Sequence, residues 1–388
     1  MFIINFYIDL KEKYEVSEKE QVDYRKIYHI PNVIKDQLVA EIVEKDEVNE
    51  NEKYIYDSLE KAKSIFSEDF YFSKKEPNKI LASISGKIYE KDGKFYIAEK
   101  LEVENVDFST GNIFFVGDLI VKNEIKSGFE VKARNVYVYG NINNAKVSAG
   151  EKLIVKGGII GLQGKRSCII KAEKMIGINF VENSVIECNG GVYIKKSSMH
   201  TEIYAGDKIV LSEKPGYIVG GYILAKKSII ANVVGSKWGT KTILKVGIDP
   251  FKYLRLKELL LRKEKREKLL EEVEKSLNYL NEVLEKGNGS EEEKKELDQE
   301  IKEIRLKKKK FERNLERLDR LIAKLKKEID DDNKKESLKG GKIYIFEKIY
   351  PGVEIKVGLD TLKIQDEING KYLFYLDNDK VSYQELTD

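Results

Sequence analysis

A short phrase recurs along the middle of this chain: apolar-x-small, a polar turn, then apolar-x-apolar. Val131-Lys132-Ala133 precedes Val136-Tyr137-Val138, Val147-Ser148-Ala149 precedes Leu153-Ile154-Val155, and Ile170-Lys171-Ala172 precedes Ile176-Gly177-Ile178. Ile186-Glu187-Cys188 with Val192-Tyr193-Ile194, Ile203-Tyr204-Ala205 with Ile209-Val210-Leu211, and Ile223-Leu224-Ala225 with Ile229-Ile230-Ala231 continue it. The small anchors at 133, 149, 172, 188, 205 and 225 are 16, 23, 16, 17 and 20 residues apart. A period of two is strand geometry and puts Ile203 and Ala205 on one face and Tyr204 on the other. Strands this short, separated by Gly and Asn turns, bury a face only by stacking on copies of themselves, so a β-solenoid is expected. The recurring Ala or Cys marks a corner where the wall leaves no room for a larger side chain. The 23-residue step holds a loop, GLQGKRS, at 161–167.

From Phe251 the composition changes to Leu, Lys, Glu and Arg, and it stays so until Gly340-Gly341. Leu270, Val273, Leu277, Leu280 and Leu284 follow heptad spacing. So do Leu297, Ile301, Ile304, Phe311, Leu315, Leu318, Ile322, Leu325 and Ile329, with only Lys308 out of pattern. Gly287-Asn288-Gly289-Ser290 breaks the two arms apart, and Ser290 with Glu293 reads as a capping box. Basic and acidic residues nearly balance across the arms and no aromatic residues interleave for base stacking, so Lys307 to Lys310 read as a solvated face.

The fold class expected is therefore mainly β with α: a β-solenoid interrupted by a long antiparallel coiled-coil hairpin, plus a small N-terminal α+β domain. Residues 1–100 form that domain, with MFIINFYIDL as a strand, 56–66 as a short amphipathic helix and 81–99 as strands paired around Lys91-Asp92-Gly93. The solenoid takes 101–249 and the hairpin 250–338. Residues 339–388 return to the solenoid and cap it, since an open end is an edge that invites another chain.

Seventy Lys and Arg against 67 Asp and Glu leave a formal charge of +3, too little for a global field that draws in nucleic acid. No apolar run approaches the ~18 residues of a membrane span. MFIINFYIDL lacks the cationic start and small-residue cleavage site of a secretory signal, so a cytoplasmic protein is expected. Cys168 and Cys188 form no CxxC pair and have no His nearby, which leaves neither a disulfide framework nor a zinc site. Cys188 stands where other rungs have Ala and reads as a small buried hydrophobe. No catalytic residue, cofactor or metal is expected. The outward Lys132, Ser148, Lys171, Glu187 and Tyr204 make no acidic stack of the kind a Ca²⁺-dependent lyase needs, and no GxxxxGK[ST] phosphate loop occurs. Asp330-Asp331-Asp332 reads as a solvated helix end.

A set of ordered motifs carries a resemblance. VDFSTGNI (106–113), SGFEVKA (127–133), FVENS (180–184), MHTEIYAGDKI (199–209), IVGGYILA (218–225), GSKWGTKT (235–242), VGIDP (246–250) and YPGVEIKVG (350–358) resemble the bacterial flagellar assembly protein A family. The resemblance implies a right-handed β-helix bearing a helical hairpin, cytoplasmic and associated with flagellar biogenesis, with no known catalytic residue. The N-terminal part departs from the family's usual look, in which Pro/Gly-rich segments precede the solenoid; here only Pro31 and Pro77 do.

Two corners stand out as candidate partner surfaces. One is Ser198-Met199-His200, holding one of two histidines; a structural or plain surface role competes with a chemical one. The other is GSKWGTKT, where Lys237, Trp238, Thr240 and Lys241 join the only Trp to two cations. The plainer reading of Trp238 is a cap on the last rung before the hairpin. The functional expectation is a non-enzymatic scaffold, a homodimer, that binds flagellar or pole-associated proteins. The alternatives are a solenoid-groove module for polysaccharide or nucleotide, and self-assembly through the solenoid ends.

Overall fold

The computed structural model describes residues 1–11, 25, 28–47, 52–286, 291–334 and 340–387. The chain divides into two compact units, Met1–Val246 with Lys342–Asp388, and Gly247–Gly341.

The first unit contains a β-solenoid of about 8 turns. Its first wall stacks Glu130–Ala133, Lys146–Ala149, Ile169–Ala172 and Val185–Cys188, then the last residues of Gly191–Ala205 and Tyr217–Ala225, then Thr242–Val246 and Val353–Val357. All pair parallel and in register, so Ala133, Ala149, Ala172, Cys188, Ala205, Ala225, Val246 and Val357 form one inward column. None is more than 7% exposed, as expected where the walls converge. The second wall begins at Lys100–Val103 and passes through Asp118–Val121 and Asn135–Val138 to Lys342–Ile349. The third wall is narrow, with one inward column made by Val106, Ile125, Ile142, Ile159, Val181, Ser198, Ile218, Val234 and Ile349. Parallel stacking pairs the backbone of each turn with the turns on both sides, and the inward columns merge into one core.

The second unit is inserted where the chain turns from the first wall to the second. Before it, the outward column of the first wall departs from expectation. Tyr204 alternates outward as predicted, yet it is 0% exposed, as is Leu224 on the next turn. Its ring lies 6.0 Å from that of Tyr222 and its hydroxyl donates to Glu202 Oε2 at 2.7 Å. Strand alternation reports which side of the sheet a residue takes, not what lies against that side.

The stack ends in a reversal. Asp360–Lys363 runs antiparallel to Val353–Val357, and Tyr372–Asp377 runs antiparallel to both Lys342–Ile349 and Lys380–Glu385. Phe374, fully buried, closes the core, and no further parallel rung continues the stack beyond these strands among the described residues.

At the other end lie a five-stranded and a three-stranded sheet with their own core, in which the Phe6 and Phe95 rings are 4.8 Å apart. Helix α1 (Leu59–Ser64) is capped by Ser58, whose hydroxyl accepts from the Lys61 N–H. The strands Gly86–Lys91 and Lys94–Ala98 turn at Asp92-Gly93 with φ of 52° and 71°, the left-handed pair a two-residue hairpin requires.

The second unit contains α2 (Pro250–Lys286) and α3 (Glu291–Lys334). Pro250 opens α2, where a missing N–H costs nothing, and Asp249 Oδ1 accepts from the N–H groups of Phe251 and Lys252. The helices pack antiparallel: Lys252 pairs with Asp332, Lys263 with Asp319 and Glu274 with Lys308, the partner's number falling as the first rises. Val273, Ile301 and Ile322 are buried at the seam. Lys308, the exception to the heptads, keeps its stem half-buried and delivers its ammonium to Glu274 at 2.8 Å. Asp332, expected to be solvated, is the ion-pair partner of Lys252. The break at 287–290 and its capping box lie outside the described residues.

Candidate functional site

The passage from the third wall to the first is a tight corner. Gly128, Asn144, Asn183, His200 and Gly220 occupy it with φ of 86°, 41°, 49°, 51° and 70°, the turn between Asn144 and Asn183 carrying the 161–167 loop there instead. This left-handed region favours Gly and Asn and admits His more readily than β-branched residues. Hydroxyls close the turn from the first wall: Ser184 donates to the Glu182 carbonyl at 2.7 Å, Thr201 to Met199 at 2.9 Å and Thr242 to Thr240 at 2.9 Å. The corner is thus rigid, and what it presents is set by its αL side chain.

The loop 161–167 folds over this corner and encloses a cleft of about 450 Å³. Gln163, Lys165 and Arg166 line the loop side, and Asn183, His200 and Glu202 the wall side. Arg166 pairs with Glu202 at 2.8 Å, and the same carboxylate accepts from Tyr204. Ser167 ties the loop to Asn144. With Glu202 held by two donors, the cleft offers cationic groups for an anion and no carboxylate positioned as a base. Sequence reasoning singled out the loop by its length but missed Arg166 and Glu202; the Lys165-Arg166 pair in an insertion was the available signal.

Of the residues expected to form partner surfaces, Ser198 does not. It is 0% exposed, in register between Val181 and Ile218 in the inward column of the third wall. Third-wall strands lack the apolar-x-apolar phrase, so their inward position could not be read from it. Among the described residues the Ser198 Oγ has no hydrogen-bond partner. An unsatisfied buried hydroxyl costs about 1–3 kcal/mol. Ser198→Val, which restores the aliphatic column, is expected to raise the midpoint of urea unfolding; a lowered midpoint would show that the column has no room for two methyl groups there.

The other expected residues lie along one edge. Met199 is half-buried and His200 exposed. A Cβ placed on Gly220 would lie 2.6 Å from His200 Nδ1 and 3.2 Å from Thr240 Cγ2, so His200 and Thr240 approach the same glycine from opposite sides. The structure therefore joins the two corners that the sequence showed 38 residues apart. Thr240 is braced by Ser236, with the two hydroxyl oxygens 2.6 Å apart, and Gly239 donates to the Ser236 carbonyl at 3.0 Å. On this braced turn Trp238 is 94% exposed, which overturns its reading as a cap on a rung. Lys237 and Lys241 flank it in solvent, and Lys241 lies 4.0 Å from Glu354.

Titrations elsewhere follow burial. Desolvation pushes the Cys188 thiol up to about 11, which keeps it protonated and unreactive, and raises Cys168 as well. Lys245 is lowered to about 8 by burial, with Lys356 on the adjoining strand adding repulsion. Among the described residues no three His, Cys, Asp or Glu side chains gather as a metal group.

Residues 99–381 match the Flagellar Assembly Protein A β-solenoid domain. The chain belongs to this family. The match begins beside the first strand of the second wall and ends within the reversing strands, so it takes in the whole solenoid of this flagellar assembly protein A member and its helical insertion. Residues 1–98 lie outside it. Neither the curated proteins nor the solved structures gave a match.

Proposed function

We propose that this flagellar assembly protein A member is a non-enzymatic cytoplasmic scaffold that binds a protein partner through the His200–Trp238 edge. The observation that supports this is Trp238. A fully exposed indole on a hydrogen-bonded turn is an anchor already ordered for binding, and Trp dominates hot spots because it brings large area at small entropic cost. Lys237 and Lys241 beside it give the anchor a cationic rim. The helical hairpin supplies reach and the surface for a homodimer. Among the described residues no helix is long and apolar enough to cross a membrane.

The test is flagellar number in cells carrying His200→Ala with Trp238→Ala, at unchanged protein level and unchanged unfolding midpoint. Flagella should be lost or misplaced; normal flagella would remove the edge from the function. Replacing 251–337 by a short Gly/Ser link is expected to leave the solenoid folded and to give the same loss. A second reading, a small anionic ligand such as a nucleotide in the cleft by Arg166 and His200, is supported by the cationic lining and is examined by thermal shift against a nucleotide panel.

A further inference from the structure

The outer face of the second wall does not resemble an ordinary solvated sheet. After Glu102, exposed on the first rung, the residue between the two inward ones points outward as, in register, Ile120, Tyr137, Ile154, Gly177, Tyr193, Val210, Ile230 and Tyr344. All are half-buried by their neighbours along the column. At ~4.8 Å per rung this apolar stripe runs roughly 34 Å along the solenoid. On the first wall the matching column mixes Lys132, Ser148, Lys171 and Glu187.

The stripe is broken once. Gly177 has no side chain, and between Ile154 and Tyr193 it leaves a notch of about 500 Å³ whose rim includes Lys156 and Lys195. The edges of the stripe are basic. Lys100, Lys152, Lys208 and Lys342 stand on one side, and Lys122, Lys156 and Lys195 on the other. Lys152 and Lys156 make no ion pair within the described residues, and Lys208 lies 5.6 Å over the Tyr193 ring. Of the nearby acids, Asp118 is engaged by Arg134, Glu104 by Lys122 and Glu213 by Lys195, while Glu102 stands exposed at the start of the column, so Lys100, Lys152, Lys156, Lys208 and Lys342 carry most of the cationic edge.

From this geometry we infer that the second wall docks an acidic amphipathic helix of a partner protein, with one large apolar side chain seated in the Gly177 notch. The wall's backbone groups are already paired rung to rung, so an added strand finds no free edge, and the occupant must satisfy its own backbone. A helix does so and presents a narrow apolar stripe with charged flanks. Lysine edges select acidic flanks. The inference goes beyond the scaffold reading and uses none of the His200–Trp238 edge.

The probe is a fluorescein-labelled synthetic peptide of about 21 residues, roughly 30 Å long as a helix, with Leu and Phe on one face and Glu on both flanks. Anisotropy is read while full-length protein is added. Saturable binding is expected, weakened at least tenfold by Gly177→Leu and by Lys156→Glu with Lys195→Glu, and absent for the same peptide with Lys in place of Glu. The Gly177 φ is not left-handed, and an added Cβ meets only the mobile end of Ile154, at 3.1 Å, so the fold should accept Leu. No saturable binding, equal binding by the Gly177→Leu protein, or equal binding of the Lys peptide would overturn the inference. A homodimer that dissociates on Gly177→Leu would overturn it by making a second copy the occupant; Gly177-dependent flotation with phosphatidylglycerol vesicles would do so by making it a membrane. Flagella are not read here, so failure of this docking leaves the scaffold proposal standing, and failure of that proposal leaves this binding intact.

Discussion

Gly221→Ala should destabilise the solenoid by roughly 3–5 kcal/mol, close to the largest loss a single methyl group produces. Two costs combine. Gly221 has φ of 92°, where an L-residue carries a penalty of roughly 1–2 kcal/mol. Its new Cβ would also lie 2.1 Å from the carbonyl oxygen of Thr201 and 2.7 Å from that residue's nitrogen. Those atoms belong to the backbone of the preceding turn, which is paired in register with Gly221 and cannot rotate away as a side chain would. Relief therefore requires the Thr201–Gly221–Thr242 ladder to open, and with it the hydrogen bond from the Gly220 N–H to the Thr242 hydroxyl. Gly239→Ala is the control. Its φ is 67°, but nothing lies within 4 Å of the added Cβ, so only the conformational penalty of roughly 1–2 kcal/mol remains. Urea unfolding followed by far-ultraviolet circular dichroism measures both. Equal losses would show that the backbone clash plays no part.

Ala205→Leu is expected to cost roughly 1–3 kcal/mol by overpacking, more than any hydrophobic gain returns. Ala205 stands in the inward column of the first wall between Cys188 and Ala225, all three without exposure, so the longer side chain finds small but fully occupied space on either side. The column itself supplies a graded comparison. Its last two members are Val246 and Val357, so the walls there accommodate two more methyl groups. Ala225→Val, adjoining Val246, should accordingly lose less than Ala205→Leu. Comparable losses would mean that the recurring Ala and Cys reflect something other than space. In a stack of nearest-neighbour turns either lesion acts locally, so limited proteolysis near residue 205 should report it before global unfolding does.

Both predictions use residues whose importance is visible to different degrees in the sequence. The anchors at 133, 149, 172, 188, 205 and 225 disclosed the first wall and its register, because in-register parallel stacking makes every turn repeat one inward pattern. The heptads disclosed the helical hairpin, and the Asp92-Gly93 turn its β-hairpin, for a similar reason: each is a local rule with a fixed period or residue type. The third wall had no such rule. It contributes a single inward residue per turn, so Ser198, polar within an aliphatic column, reads in the sequence as surface.

The candidate site shows the same division. His200 and Trp238 were legible as unusual residues, one of two histidines and the only Trp. That their corners face one another across the Gly220 corner was not, because the separation of 38 residues corresponds to two turns of the stack only once the register is set. The stripe on the second wall lay in plain view as the middle letter of Val-Tyr-Val, Leu-Ile-Val and Ile-Val-Leu, yet its continuity and the notch at Gly177 require the turns to be stacked. Periodic burial, a property of each segment and its immediate neighbours, was determined by the sequence alone. Which side chains meet across turns, whether an outward Tyr204 is covered, and where a missing side chain leaves a hole were decided by tertiary structure, because they depend on register and on surfaces contributed by residues distant in the chain.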